Sequence, residues 1–70
     1  MMPLSMARIG ENNSIKKIIG KDETRKFLAN LGFVEGETVT VISEFAGNMI
    51  LSIKDTRVAL DKGMTNRIMI

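Results

Sequence analysis

The chain has no cysteine, no histidine, no tryptophan and no tyrosine, and only one proline and three phenylalanines in 70 residues. Each absence removes a class of explanation. Without cysteine there is no disulfide to staple a small fold, and without cysteine and histidine there is no thiolate or imidazole zinc site. Ser-His-Asp and Cys-His nucleophilic arrangements are excluded for the same reason. General acid–base work would fall to carboxylates or lysines, which need a burying pocket that a chain of this length has little room to build. The reading is therefore a non-enzyme with no catalytic, cofactor-binding or metal-ligating residues and no cofactor.

No run of apolar residues approaches the ~20 needed to cross a bilayer, and no basic segment followed by an apolar stretch opens the chain. A cytoplasmic protein without membrane insertion is expected. Ten Lys and Arg against eight Asp and Glu leave a net charge of +2, far from the dense positive stripe of a nucleic-acid module. The three aromatics, Phe27, Phe33 and Phe45, sit in apolar sequence contexts, so a base-stacking platform is not expected. No nucleic-acid partner follows.

What the chain does contain is a series of short apolar alternations broken by turn residues. Gly10-Glu11-Asn12-Asn13 reads as a turn, and Ser14–Ile19 as a first strand closed by Gly20. Asp22 is placed to cap a helix over 23–31, with Glu23 in its first turn and Phe27, Leu28 and Leu31 on one face. Gly32 falls where a left-handed helix ending belongs, and Phe33 where it packs back on Leu28. Thr38–Phe45, Met49–Lys54, Arg57–Leu60 and Arg67–Ile70 read as four further strands, the first two joined by Ala46-Gly47-Asn48 and the next pair by Asp55-Thr56. Met6, Met49, Met64 and Met69 read as fillers of a small core. Alternation implies one buried face per strand, and closing the sheet removes its edges. The expected architecture is mainly β: one domain over residues 1–70, a small five-stranded antiparallel barrel with one short α-helix between strands one and two.

In this order, the residues resemble a family. Gly10, the Ile15–Ile19 strand with Gly20, Arg25 and Leu28 lead to Leu31-Gly32-Phe33-Val34-Glu35-Gly36, and Val58-Ala59-Leu60 precedes a closing Ile68-Met69-Ile70. The chain resembles the FeoA family of bacterial ferrous-iron uptake from Leu4 to its last residue. The resemblance implies an SH3-like barrel, shared with the C-terminal domain of iron-dependent repressors. It implies a cytoplasmic accessory protein that binds the membrane iron transporter FeoB at its GTP-hydrolysing cytoplasmic part and modulates it. The alternative is a free-standing metal-responsive barrel that acts with an iron-dependent repressor or as a small transition-metal binder. Gly63-Met64-Thr65 departs from the family pattern and predicts a looser link before the last strand.

Partner-binding candidates come from two places. Lys16, Lys17, Lys21, Arg25 and Lys26 form the densest cationic cluster, a patch for docking an acidic partner surface or the inner leaflet, with Lys21, Arg25 and Lys26 as the partner-binding candidates, against the reading of a solvated face balanced by Asp22 and Glu23. Ile42 and Ile50 break the alternation of their strands. They mark either an exposed patch that meets a partner or a second copy of the chain, or a strand that curls through a bulge.

Overall fold

The computed structural model describes all 70 residues, Met1 to Ile70. The elements in chain order are a 3-10 turn (Leu4–Met6), β1 (Asn12–Ser14), β2 (Lys17–Ile18), α1 (Asp22–Asn30), β3 (Thr38–Phe45), β4 (Asn48–Ile53), β5 (Thr56–Asp61), α2 (Lys62–Thr65) and β6 (Ile68–Met69). Two antiparallel sheets result, one ordered β1-β3-β4-β5 and one pairing β2 with β6. Pro3 bridges to Met69 beside β6.

The strands form where alternation demands them. Val39 and Val41 of β3, Met49, Leu51 and Ile53 of β4 and Leu60 of β5 are buried, while residues between them face outward or are half-buried. They meet Leu4, Ile15, Leu28, Phe33 and Ile68 in one apolar cluster under the sheet. No buried side-chain nitrogen or oxygen lacks a hydrogen-bond partner.

Three expectations are revised in the first third of the chain. The single strand Ser14–Ile19 is two strands in two sheets. The chain crosses between them at Ile15 and Lys16, whose N–H groups donate to Glu37 O (2.9 Å) and Met69 O (2.7 Å) respectively. Asn12 and Asn13, expected in a turn, are paired in β1 with Thr40 and Val39. These polar residues carry no hydrophobic period, so their pairing depends on β3 rather than on local pattern. Asp22 is the first residue of α1 and not its cap; Lys21 holds the cap position without a side-chain bond. Asp22 and Glu23 thus act on the positive end of the helix as charges.

The barrel is not closed by hydrogen bonds, and there are six strands rather than five, with α1 between β2 and β3. The link before the last strand is also tighter than expected. Asp61 caps α2 by accepting the Met64 N–H at 2.9 Å, and the buried Thr65 hydroxyl donates to the Asp61 and Lys62 carbonyls at 3.3 Å each. Ser5 hydrogen-bonds Asn66, tying the 3-10 turn to this helix end. Phe27 and Phe45 are exposed, leaving Phe33 as the core aromatic, and Met6 is exposed rather than a core filler.

Two hairpins use two-residue turns in left-handed backbone. The β4–β5 turn is Lys54-Asp55 (φ 48° and 61°), one residue earlier than expected, and the β3–β4 turn is Ala46-Gly47 (φ 51° and 82°). Alanine gains nothing in this region, whereas asparagine tolerates it and leads at this turn position. Ala46→Asn is expected to stabilise the fold by about 0.5–1 kcal/mol, read as a rise of a few degrees in the thermal midpoint. An unchanged or lower midpoint would refute that account of the turn.

Candidate functional site

Of the cationic cluster, Arg25 and Lys26 lie on α1 and Lys21 directly precedes it, whereas Lys16 and Lys17 lie just before and at the start of β2. Gly20 (φ 138°) turns the chain out of β2, and Lys21 adopts extended backbone before the first helical turn. The helix ends in a Schellman motif: the Gly32 N–H donates to Ala29 O and the Phe33 N–H to Leu28 O, both at 2.9 Å. Gly32 at φ 105° makes that reversal possible. The reversal drives Phe33 into the core beside Leu28, both without exposed surface.

Between the helix and the chain that folds back lies an open groove of about 630 Å³. Its apolar lining is Ile18 from β2, Ala29 from α1, and Phe33 and Val34 from the returning loop; Asp22, Arg25, Lys26 and Glu35 line it with charge. Positions 22, 25, 26 and 29 share one helix face at the spacing of a helical turn. None of Lys16, Lys17, Lys21, Arg25 or Lys26 has an anionic side chain within 4.0 Å; the two ion pairs present are Arg8–Glu11 and Lys54–Glu37. The cationic groups are therefore not neutralised by Asp22 and Glu23 through direct pairing. Their charge is available to a second molecule.

Of the five candidate positions, the structure brings Arg25 and Lys26 into the groove and leaves Lys21 exposed outside its lining, just ahead of α1. Ile42 and Ile50 lie elsewhere. The β3–β4 register shifts between Val41 and Ser43, so Ile42 sits at a β-bulge, and Ile50 pairs with Ser43 and Ala59. Both are half-buried. Ile50 faces away from the core side that Met49 and Leu51 occupy. The sequence reading did not place Ile18, Ala29, Val34 or Glu35 in the site. The signal that could have done so is the Gly32 helix ending, which obliges the following residues to double back along α1.

No group of three or more acidic, histidine or cysteine side chains converges on a point where a metal ion could sit. No helix is long and apolar enough to cross a membrane. The arrangement offers recognition by charge and shape, with no nucleophile–base pair in the groove.

The family profile for the FeoA domain matches residues 2–70. A protein of Methanocaldococcus jannaschii, provisionally named Fe(2+) transport protein A, is 31% identical over 70 residues, covering all of this chain and 85% of that protein. Among solved structures, the iron uptake regulatory protein FeoA superposes with a TM-score of 0.87 at 31% identity, over 96% of this chain and 89% of that one. The zinc complex of FeoA from Stenotrophomonas maltophilia, described as a prokaryotic SH3 domain protein, superposes at 0.85 with 23% identity, over 99% of this chain and 88% of that one. The open two-sheet arrangement is thus an SH3-like fold, and the chain belongs to the FeoA domain family.

Proposed function

We propose that this protein is an accessory factor of ferrous-iron transport that binds the cytoplasmic, GTP-hydrolysing part of the iron transporter FeoB and modulates it without catalysis of its own. The observation that carries the reading is the α1 groove: an apolar floor flanked by Arg25 and Lys26, which no intramolecular ion pair engages, with Asp22 and Glu35 also on its lining. Charges held ready at the rim of an apolar cleft steer an oppositely charged surface and fix its orientation, while burial of the floor supplies affinity. Membership of a family whose named relatives are iron(II) transport proteins supports the transporter as the target. In this reading Lys21, Arg25 and Lys26 contact acidic residues of the partner. Iron is cargo of the transporter, and the protein acts in the cytoplasm, where the GTP-hydrolysing part lies.

The test is a calorimetric titration of the full chain against the transporter's cytoplasmic part, with GDP or with a non-hydrolysable GTP analogue. Binding is expected in at least one nucleotide state. The Arg25→Glu/Lys26→Glu double variant reverses two exposed charges and is expected to weaken binding by about ten-fold or more, whereas Ile50→Ser, outside the groove, leaves it within about two-fold. No binding in either state up to about 1 mM, where affinity is worth only ~4 kcal/mol, would overturn the proposal.

A further inference from the structure

The four-stranded sheet has one long free edge. β1 is three residues long and leaves the sheet at Ile15, but β5 runs six residues, Thr56–Asp61, with β4 on one side and no strand on the other. None of the backbone hydrogen bonds outside the regular elements involves Thr56–Leu60. Which groups are free follows from the hairpin. A two-residue turn closes on a doubly bonded pair, here Ile53 with Thr56. Bonding then alternates, so Thr56, Val58 and Leu60 bond to β4. Arg57, Ala59 and Asp61 direct their amides away from the sheet, and all three are exposed.

Charge is distributed along this edge in a self-complementary way. Arg57 lies two residues before Ala59 and Asp61 two residues after it. In an antiparallel self-pairing about Ala59, Ala59 meets its own copy and Arg57 of each chain meets Asp61 of the other. The pairing parity agrees, because these are the residues whose amides point outward. Asp61 gives its N–H to the Arg57 carbonyl of the other copy; its own carbonyl already accepts the Thr65 hydroxyl, so each Arg57–Asp61 pair closes through that one backbone bond. Edge charges ordinarily keep a second strand away. Here they are of opposite sign and equidistant from the small residue on the axis, so the same charges attract. The pairing also makes the outer face continuous: Ala59 neighbours Ile50 on β4, and the two-fold axis sets Ile50–Ala59 of one copy beside Ala59–Ile50 of the other.

We infer that β5 is a homodimer interface in which a second copy of this chain extends the sheet, antiparallel, with the two-fold axis at Ala59. The interface is separate from the α1 groove, none of whose lining residues belongs to β5.

Sedimentation equilibrium from low micromolar to about 1 mM chain tests the inference, together with amide exchange at Ala59 and Asp61. The wild type is expected to dimerise within this range, and protection of those two amides to rise with concentration. Arg57→Glu turns both cross-strand attractions into repulsions and is expected to weaken the dimer by about ten-fold or more. Arg57→Lys, which keeps the charge, should stay within about three-fold. Ala59→Pro removes an outward N–H and is expected to leave only monomer. Should that variant fail to fold, the Arg57 pair still decides. A chain monomeric at the highest concentration overturns the inference. So does a dimer indifferent to Arg57→Glu, or one in which the Ala59 and Asp61 amides exchange as fast as in dilute monomer.

Discussion

Phe33→Ala is expected to abolish cooperative folding. Phe33 heads the fully buried side chains by volume, with no exposed surface, in a core of twelve residues. Truncating a buried phenylalanine typically costs about 3–5 kcal/mol through lost transfer energy and the cavity left behind. At about 0.05–0.15 kcal/mol per residue, a chain of this length has roughly 4–10 kcal/mol in total. The substitution therefore removes a large share of the stability or all of it. No disulfide can compensate, because there is no cysteine. The position is also poorly able to collapse. Its N–H is fixed to Leu28 O at 2.9 Å in the helix ending, so the backbone cannot move inward without breaking the motif that terminates α1.

Far-UV circular dichroism in a urea series is the appropriate measurement, since the chain has no tryptophan or tyrosine to report by fluorescence. The expected result for Phe33→Ala is a shallow transition or none. Phe33→Leu, which keeps most of the volume, should retain a cooperative transition at a cost of about 1–2 kcal/mol. A Phe33→Ala midpoint within about 1 kcal/mol of the parent would show that the residue is not the keystone its burial implies.

The contrast between Phe33 and the other phenylalanines shows where sequence reading succeeded. Gly32 gave a specific stereochemical reason for the chain to reverse, and the reversal names Phe33 as the residue that packs back. Phe27 had only helical spacing to recommend it, and α1 buries a narrow stripe around Leu28 while Phe27 stays exposed. Phe45 closes a strand at a hairpin tip, beyond the reach of the core. The β3–β4–β5 meander was legible because Val39, Val41, Leu51 and Ile53 alternate. β1 was not, because Asn12-Asn13-Ser14 shows no apolar period and pairs through β3. α2 was hidden behind Gly63. Its helical turn depends on the Asp61 cap and the Thr65 hydroxyl rather than on propensity. For the candidate site, the charges were visible as a run, but the apolar floor was not. Ile18, Ala29 and Val34 are distant in sequence and meet only because Gly20 and Gly32 bend the chain around the helix. Ile42 was ambiguous, and the register shift beside it accounts for its break in alternation.

Ile68→Ala carries the second large effect, and its consequences should be unequal across the molecule. Ile68 is fully buried in β6 and pairs directly with Ile18 of β2. Loss of its side chain is expected to cost about 2–5 kcal/mol. The four-stranded sheet keeps its own ladders, whereas β2 has β6 as its only strand partner. The N-terminal segment leans on the same strand, with Met2 and Ile70 exchanging hydrogen bonds of 3.0 and 2.8 Å. Opening of β6 therefore frees β2 and residues 1–3 together, while β3–β5 remain paired. Amide exchange in Ile68→Ala should show protection falling first at Lys16 and Ile19, whose N–H groups donate to the Met69 and Arg67 carbonyls, ahead of Leu51 and Val58, as for a cooperative unit at the low-stability end of a domain. Ile18 lines the α1 groove, so the same opening removes part of the floor proposed for docking. Apparent affinity for the partner falls by the fraction of molecules with the groove intact; an opening that leaves one molecule in ten competent weakens binding about ten-fold. Uniform loss of protection across both sheets would show that they open as one unit. Selective loss around β2 without a matching loss of affinity would show that the partner does not use the groove.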